Sequence, residues 1–310
     1  MTDGPAAPAA RTKAATAHAA GNAKVAAAGA TKATGPATHP RGHYNVGKTH
    51  SPKLLQQLAG PAGTSGPVIN SPMAAATAGP VNGAAQGVDV ASFQHPGPAY
   101  PNGAPIDWQQ VAGDGIKFAA VKVTEGAYYT NPYAASDLTK AQAAGLTAIG
   151  YAFAIPNGGF DSNGNQLPAS PQEQADYLLS NLPTGMTVPV MLDIEYDPYA
   201  GTGPNGDGTT GVCYGLSKTK IVNWISGFDA EIQAKTGWLP IIYTTQDWWS
   251  TCTGGSTAFG QNPAWPADYA SSGNPLLPAG WSTWNLWQYT SSGTVTGIQT
   301  SGSTDLDQAN

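Results

Sequence analysis

Histidine is scarce where chemistry would need it. Four of the five, His18, His39, His43 and His50, fall in the first 50 residues, which leaves His95 alone in the rest of the chain. A Ser-His-Asp or Cys-His hydrolase would have to be built on that one imidazole, which precedes Pro96, and no G-x-S-x-G elbow accompanies it. Cysteine is equally sparse: Cys213 and Cys252 with one histidine do not make a zinc ligand set. The stretch from Gly201 to Gly211, with Asn205 and Asp207, lacks the terminal Glu and flanking helices of an EF-hand. No P-loop or dinucleotide fingerprint is present, so neither a metal nor an organic cofactor is expected. No apolar run approaches the roughly 20 residues of a membrane span, and the opening Met-Thr-Asp-Gly-Pro has no signal-peptide apolar core.

Aromatic residues are missing from one region. Residues 1–84 contain no Phe or Trp and are dominated by Ala, Gly, Pro, Thr and Lys, a composition that cannot bury enough apolar surface to offset chain entropy. They read as a low-complexity arm in which only 51–59, capped by Ser51 with Pro52 in the first turn and Gly60 beyond the end, has the pattern of a short helix. Residues 85–310 are then the folded unit, long enough for one large core. Charge divides the chain at the same point. Before Gln86, seven Lys or Arg stand against the single Asp3, a net of +6; the remainder carries 6 basic and 18 acidic residues, a net of −12. A basic arm can meet an anionic surface such as a bacterial wall polymer, or be a solvated linker, or be drawn to its own acidic domain. With Tyr44 as its one aromatic and no recognisable binding fold, it does not point to nucleic acid. The low charge content and many Gly, Ser, Thr, Asn and Trp residues of the folded part read Cys213 and Cys252 as one disulfide of an exported protein. Two free core thiols are the other reading.

From Gly87 onward, strand and helix patterns alternate. Strands are expected at 87–91, 117–124, 146–153, 188–195 and 239–244, with helices at 107–113, 131–144, 171–182 and from Ser217 to just before Gly237. Strand-like pieces at 264–269, 284–290 and 304–307 follow with fewer helices between them. Repeated strand-helix-strand order predicts a parallel sheet with right-handed crossovers, and the helix-poor last third makes it an irregular TIM-like (β/α) barrel.

What remains for chemistry is carboxylates at strand ends. In Val188-Pro-Val-Met-Leu-Asp-Ile-Glu195 the period of an extended chain puts Met191, Asp193 and Glu195 on one face and Val190, Leu192 and Ile194 on the other. Two acids so placed are the minimal equipment for cleaving a glycosidic bond, while solvated acids on an exposed strand end are the plainer reading. Crowding in a partly dry cleft disfavours ionising both, which would leave Glu195 protonated as a general acid and Asp193 anionic. Asp89, Asp305 and Asp307 also sit on predicted strands, and Tyr151, Tyr243, Trp287 and Tyr289 offer rings on which a sugar could stack, although strand aromatics also serve as core.

Taken in order, Gly87-Val-Asp-Val-Ala-Ser-Phe-Gln94, Ile106-Asp-Trp108, Lys122-Val-Thr-Glu-Gly126, Gly150-Tyr-Ala-Phe153, Leu192-Asp-Ile-Glu195, Trp287-Gln-Tyr289 and Thr304-Asp-Leu-Asp307 resemble the glycoside hydrolase family 25 lysozymes, the Chalaropsis-type N-acetylmuramidases. The resemblance covers the folded part and not the arm. It implies an irregular α/β barrel that hydrolyses the β-1,4 bond between N-acetylmuramic acid and N-acetylglucosamine in peptidoglycan. It maps the general acid to Glu195, the paired aspartate, as nucleophile or orienter of the substrate's acetamido group, to Asp193, and supporting acids to Asp89 and Asp305. Substrate contacts fall to Tyr151, Tyr243, Trp287, Gln288, Tyr289 and Asp307. Two positions depart from the family's pattern: Asp307 stands where an asparagine is common, and Ala152 where a histidine often follows the tyrosine. Lys122 and Glu125 are either an ion pair at the barrel rim or substrate contacts. The whole reads as a secreted, monomeric lysozyme acting on peptidoglycan strands, with a chitinase-like glycosidase or a non-catalytic wall-binding module as the alternatives.

Overall fold

The computed structural model describes residues 83–95, 104–159, 167, 170–198, 211–271, 273–298 and 304–310. Residues 1–82, nearly all of the arm expected at 1–84, and with them the helix expected at 51–59, lie outside these. In chain order the elements are β1 (Gln86–Val90), a 3-10 turn (Ser92–Gln94), α1 (Trp108–Gly113), β2 (Ile116–Glu125), β3 (Tyr129–Thr130), α2 (Ala134–Ala143), β4 (Thr147–Phe153) and α3 (Pro171–Ser180). Then come β5 (Val190–Asp193), α4 (Lys218–Thr236), β6 (Ile241–Thr244), α5 (Gln246–Thr253), β7 (Ala264–Pro266), β8 (Leu286–Gly293) and β9 (Thr304–Ala309).

Eight of these strands follow one another in the order β7-β6-β5-β4-β2-β1-β9-β8, and β3 pairs off the path with β2. A parallel bridge from Ala267 to Gln288 brings the two ends of this row together, so the sheet curls into a nearly closed barrel. From β7 round to β1 every pairing is parallel, as the alternating pattern predicts. β9 is the exception: it runs antiparallel to both β1 and β8. Only ten residues separate β8 from β9, too few for the crossover of a dozen or more that a parallel return needs.

Strand alternation sorts the apolar side chains into two cores. Phe118, Ile149, Tyr151, Met191, Ile241, Tyr243, Trp265 and Leu286 fill the barrel interior. Val88, Val90, Val121, Leu192, Ile194 and Ile242 point outward and pack under the helices. Gly87 faces the interior, where a Cβ would lie 2.2 Å from the Phe118 ring. Its absence lets that ring cross the barrel floor beside β1. The helices are fixed by short local signals. Ser170 Oγ accepts from Glu173 N at the start of α3, with Pro171 in the first turn. Ser217 does the same for α4, whose Ile221, Trp224, Ile225, Phe228 and Ile232 are buried at helical spacing and which ends at left-handed Gly237.

The last third contains one more helix than the sequence pattern predicts. α5, rich in Trp, Ser and Thr, has weak intrinsic propensity. It is held by the Thr245 cap onto Trp248 N, by burial of Trp248 and Trp249, and by the Cys213–Cys252 disulfide, whose Cα atoms are 5.3 Å apart. The two cysteines are therefore bonded, not free core thiols.

Candidate active site

The carboxyl ends of the parallel strands form one rim, and the reversed direction of β9 brings its amino-terminal end to the same rim. Asp305, the second residue of β9, lies directly opposite Asp89 in the β1–β9 ladder. Asp193 closes β5, and Glu195 follows two residues later on the same face, the ladder continuing past the strand through the Ile194 N bond to the Tyr243 carbonyl at 2.9 Å. Asp89 and Asp193 are buried at 7 % and 5 % exposure, whereas Glu195 and Asp305 are half-buried, so two acids sit in the throat and two at the lip. Tyr151 stands among them. Burial raises its phenol well above the usual range, and the charges of Asp89, Asp193, Asp305 and Glu195 add to the shift.

Burial, followed by the neighbouring Glu195 charge, lifts Asp193 well above the ordinary carboxylate range, with Lys122 pulling the other way. Asp193 Oδ1 has no hydrogen-bond partner among the described residues. The sequence assigned the proton of this pair to Glu195 and the charge to Asp193. The structure makes Asp193 the more buried member of the pair, and desolvation penalises its charged form. Asp89 is raised by burial to about 7, with a hydrogen bond from Gln288 acting to lower it.

Asp307 lies one layer below Asp305 and is fully buried, its Oδ1 accepting from Trp265 Nε1 at 2.9 Å. Desolvation, then Asp89 and Asp305, push its carboxyl well above the usual range. Asp305 is therefore the last-strand acid at the rim, and Asp307 the one beneath it. Lys122 and Glu125 form a buried ion pair at 2.5 Å, with the ammonium 4.7 Å above the Phe153 ring.

Tyr151, Tyr243 and Gln288 point into the barrel with the acids. Trp287 and Tyr289 do not, and their expected role as sugar-facing rings is corrected. Alternation along β8 sends them to the opposite face of the sheet. There Trp287 is fully buried and donates to the Asp268 carbonyl at 3.1 Å, while the Tyr289 hydroxyl bonds Gln86 Oε1 at 2.9 Å. His95 is likewise structural. It stacks on Tyr133 at 3.9 Å, and its Nε2 is 2.7 Å from Asp137 Oδ2, which belongs to the carboxylate that also receives Trp108 Nε1.

Tyr269 is a rim residue that sequence pattern did not single out. Its hydroxyl reaches Gln288 Oε1, and burial followed by Asp305, Glu195 and Asp89 raises its phenol. Its position just beyond the carboxyl end of β7 was the available signal.

A throat of carboxylates and tyrosines at the carboxyl ends of barrel strands is the equipment of a glycoside hydrolase. The family model for glycosyl hydrolases family 25 matches residues 88–298. Lysozyme M1 of Streptomyces globisporus is 35% identical over 230 residues, covering 73% of this chain and 67% of that protein. The N,O-diacetylmuramidase of Chalaropsis sp is 33% identical over 208 residues, covering 66% of this chain and 86% of its own length. Among solved structures, the bacterial lysozyme of Streptomyces coelicolor superposes with a TM-score of 0.61 at 33% identity, over 74% of this chain and 94% of that one. The chain belongs to glycosyl hydrolase family 25.

Proposed function

We propose that this enzyme is a lysozyme that cleaves the β-1,4 bond between N-acetylmuramic acid and N-acetylglucosamine in peptidoglycan. The observation that carries the reading is the convergence of Asp89, Asp193, Glu195 and Asp305 around Tyr151 in a family 25 chain whose relatives are named lysozyme and muramidase. Glu195, at the lip, is the acid that reaches the leaving glycosidic oxygen and protonates it. Asp193, deeper in the throat, acts as nucleophile or as the carboxyl that orients the acetamido group, and its nearness to Glu195 disfavours ionising both, so that the pair carries a proton for Glu195 to deliver. Asp89 and Asp305, opposite each other across the β1–β9 ladder, hold the sugar and position water. The disulfide and the kinship with lysozymes support export as the setting in which it acts.

The test is release of reducing ends from purified bacterial cell walls by the wild type and by Glu195→Gln. Removing the acid is expected to slow release by about 10²- to 10⁴-fold with folding intact. Unchanged release refutes the assigned acid. Hydrolysis of chitin with none of peptidoglycan would sink the substrate, and no hydrolysis of either by the wild type would leave a binding module.

A further inference from the structure

We infer that Gln288 is a positioning residue that holds the Asp89 carboxylate in one orientation, and that it is not a sugar ligand. The inference rests on Asp89 belonging to the reacting centre.

Gln288 is 1 % exposed, and its amide is occupied on every side. Nε2 donates to Asp89 Oδ2 at 2.5 Å and lies 3.2 Å from the Tyr243 hydroxyl. Oε1 accepts from the Tyr269 hydroxyl and lies 3.4 Å from that of Tyr243. A primary amide has two donors and one acceptor oxygen, so these contacts leave little for a substrate. They also fix which way the amide faces. Flipping it would set its oxygen against the ionised Asp89 carboxylate, whereas the tyrosine hydroxyls can donate or accept and so follow the orientation that Asp89 selects.

The backbone of the same residue is pinned as well. Gln288 lies at the seam where β8 meets the β7 segment, bridged to Ala267 and accepting from Asp268 N at 3.0 Å. From that seam its side chain reaches past β9 to β1, the strand that carries Asp89. Barrel closure therefore sets the position of the amide, and the amide claims Oδ2 of Asp89, leaving Oδ1 as the oxygen available to sugar or water. The groups around this carboxylate are Asp193 from β5, Asp305 and Asp307 from β9, Tyr151 from β4 and Tyr269 beyond β7, while Tyr243 from β6 touches the Gln288 amide. Against those acids, the Gln288 N–H is the contact that favours the anion of Asp89.

The experiment compares wild type, Gln288→Met and Tyr269→Phe by carboxyl carbon NMR titration of Asp89 and by kcat and KM on a soluble peptidoglycan fragment above pH 7, where Asp89 is ionised. Loss of a hydrogen bond to a charged group predicts a fall in kcat of about tenfold to a hundredfold in Gln288→Met, with KM within about twofold of wild type and the Asp89 titration moved to higher pH. Tyr269→Phe, which loosens the amide without removing it, should move both in the same direction by less. A raised KM with kcat and the Asp89 titration unchanged would make Gln288 a sugar ligand and overturn the inference. Should Gln288→Met fail to fold, Tyr269→Phe decides alone: an upward shift of Asp89 supports the clamp, and no shift overturns it. Asp89→Asn separates the two readings. Full activity in that variant removes Asp89 from the reacting centre, whereas a shifted titration still reports the clamp.

Discussion

Replacing Asp89 by asparagine should make this enzyme more stable while disabling it, and the stabilisation should depend on pH in a defined way. Asp89 is buried and holds its proton up to about pH 7, against an ordinary value of 3.8. Because the folded-state value is the higher one, the folded protein binds this proton more tightly than the unfolded chain. The contribution of Asp89 to stability is therefore full below about pH 3.8, falls as pH rises towards 7, and is level above that. A gap of about three units corresponds to about 4 kcal/mol at pH 8, at 1.36 kcal/mol per unit.

Asparagine has nearly the same shape, and its carbonyl oxygen can still accept from Gln288 Nε2. It carries no charge to desolvate, and it relieves Asp193 and Asp307, both of which the Asp89 charge helps to lift. At about 2 to 4 °C per kcal/mol for a domain of this size, Asp89→Asn should melt within a few degrees of wild type at pH 4 and roughly 8 to 16 °C higher at pH 8. Scanning calorimetry from pH 4 to 8 at constant ionic strength, with hydrolysis measured on the same samples, checks both halves. A melting-temperature difference that stays constant across that range, or narrows towards pH 8, would refute the desolvation argument.

Asp229 on α4 offers a control away from the rim. It is buried, and desolvation holds it up to about 8 despite a hydrogen bond from Asn262. Its ionisation lowers stability as pH rises from about 4 to 8, so Asp229→Asn should raise the urea midpoint at pH 8.5 more than at pH 5 and leave hydrolysis unchanged; an equal effect at both pH values would contradict this. Cys213→Ser with Cys252→Ser opens a loop with a sequence separation of 39 and should cost about 3 to 4 kcal/mol in the chain-entropy model, read as a lower melting temperature that dithiothreitol reproduces in the wild type. Gly87→Ala forces a methyl into the Phe118 ring and should cost about 1 to 3 kcal/mol, and an unchanged denaturation midpoint would show that the ring can yield.

How much of this was legible in the sequence depended on whether the information was local. Val188-Pro-Val-Met-Leu-Asp-Ile-Glu195 carries its own period, so the shared face of Asp193 and Glu195 could be read without knowing the neighbours. The caps of α3 and α4 are equally local. What escaped depended on partners distant in the chain. The direction of β9 became readable only through its pairing with β1 and β8. Trp287 and Gln288 are adjacent, yet one joins the outer core and the other the throat, a choice set by which face of β8 meets β1 across the barrel. Gln174 on α3 breaks the apolar stripe but is fully buried, because its amide bonds both the N–H and the carbonyl of Ile155. The burial order of Asp193 and Glu195 was invisible for the same reason: alternation gives the face and not the depth.

The reversal of β9 also settles where the chain enters and leaves the barrel. β1 starts at the floor, and β9, running the other way, ends there, with Ala309 N bonded to the Ala85 carbonyl and Asn310 N to that of Asn285. Both attachment points thus lie on the pole opposite the throat. Fastened to a bead, a scaffold or a second module directly at Ala85 or Asn310, the barrel would present its acids outward to the surrounding polymer. A module joined directly after Asn310, or directly before Ala85, would hang behind the barrel, clear of the path along which a long glycan has to lie.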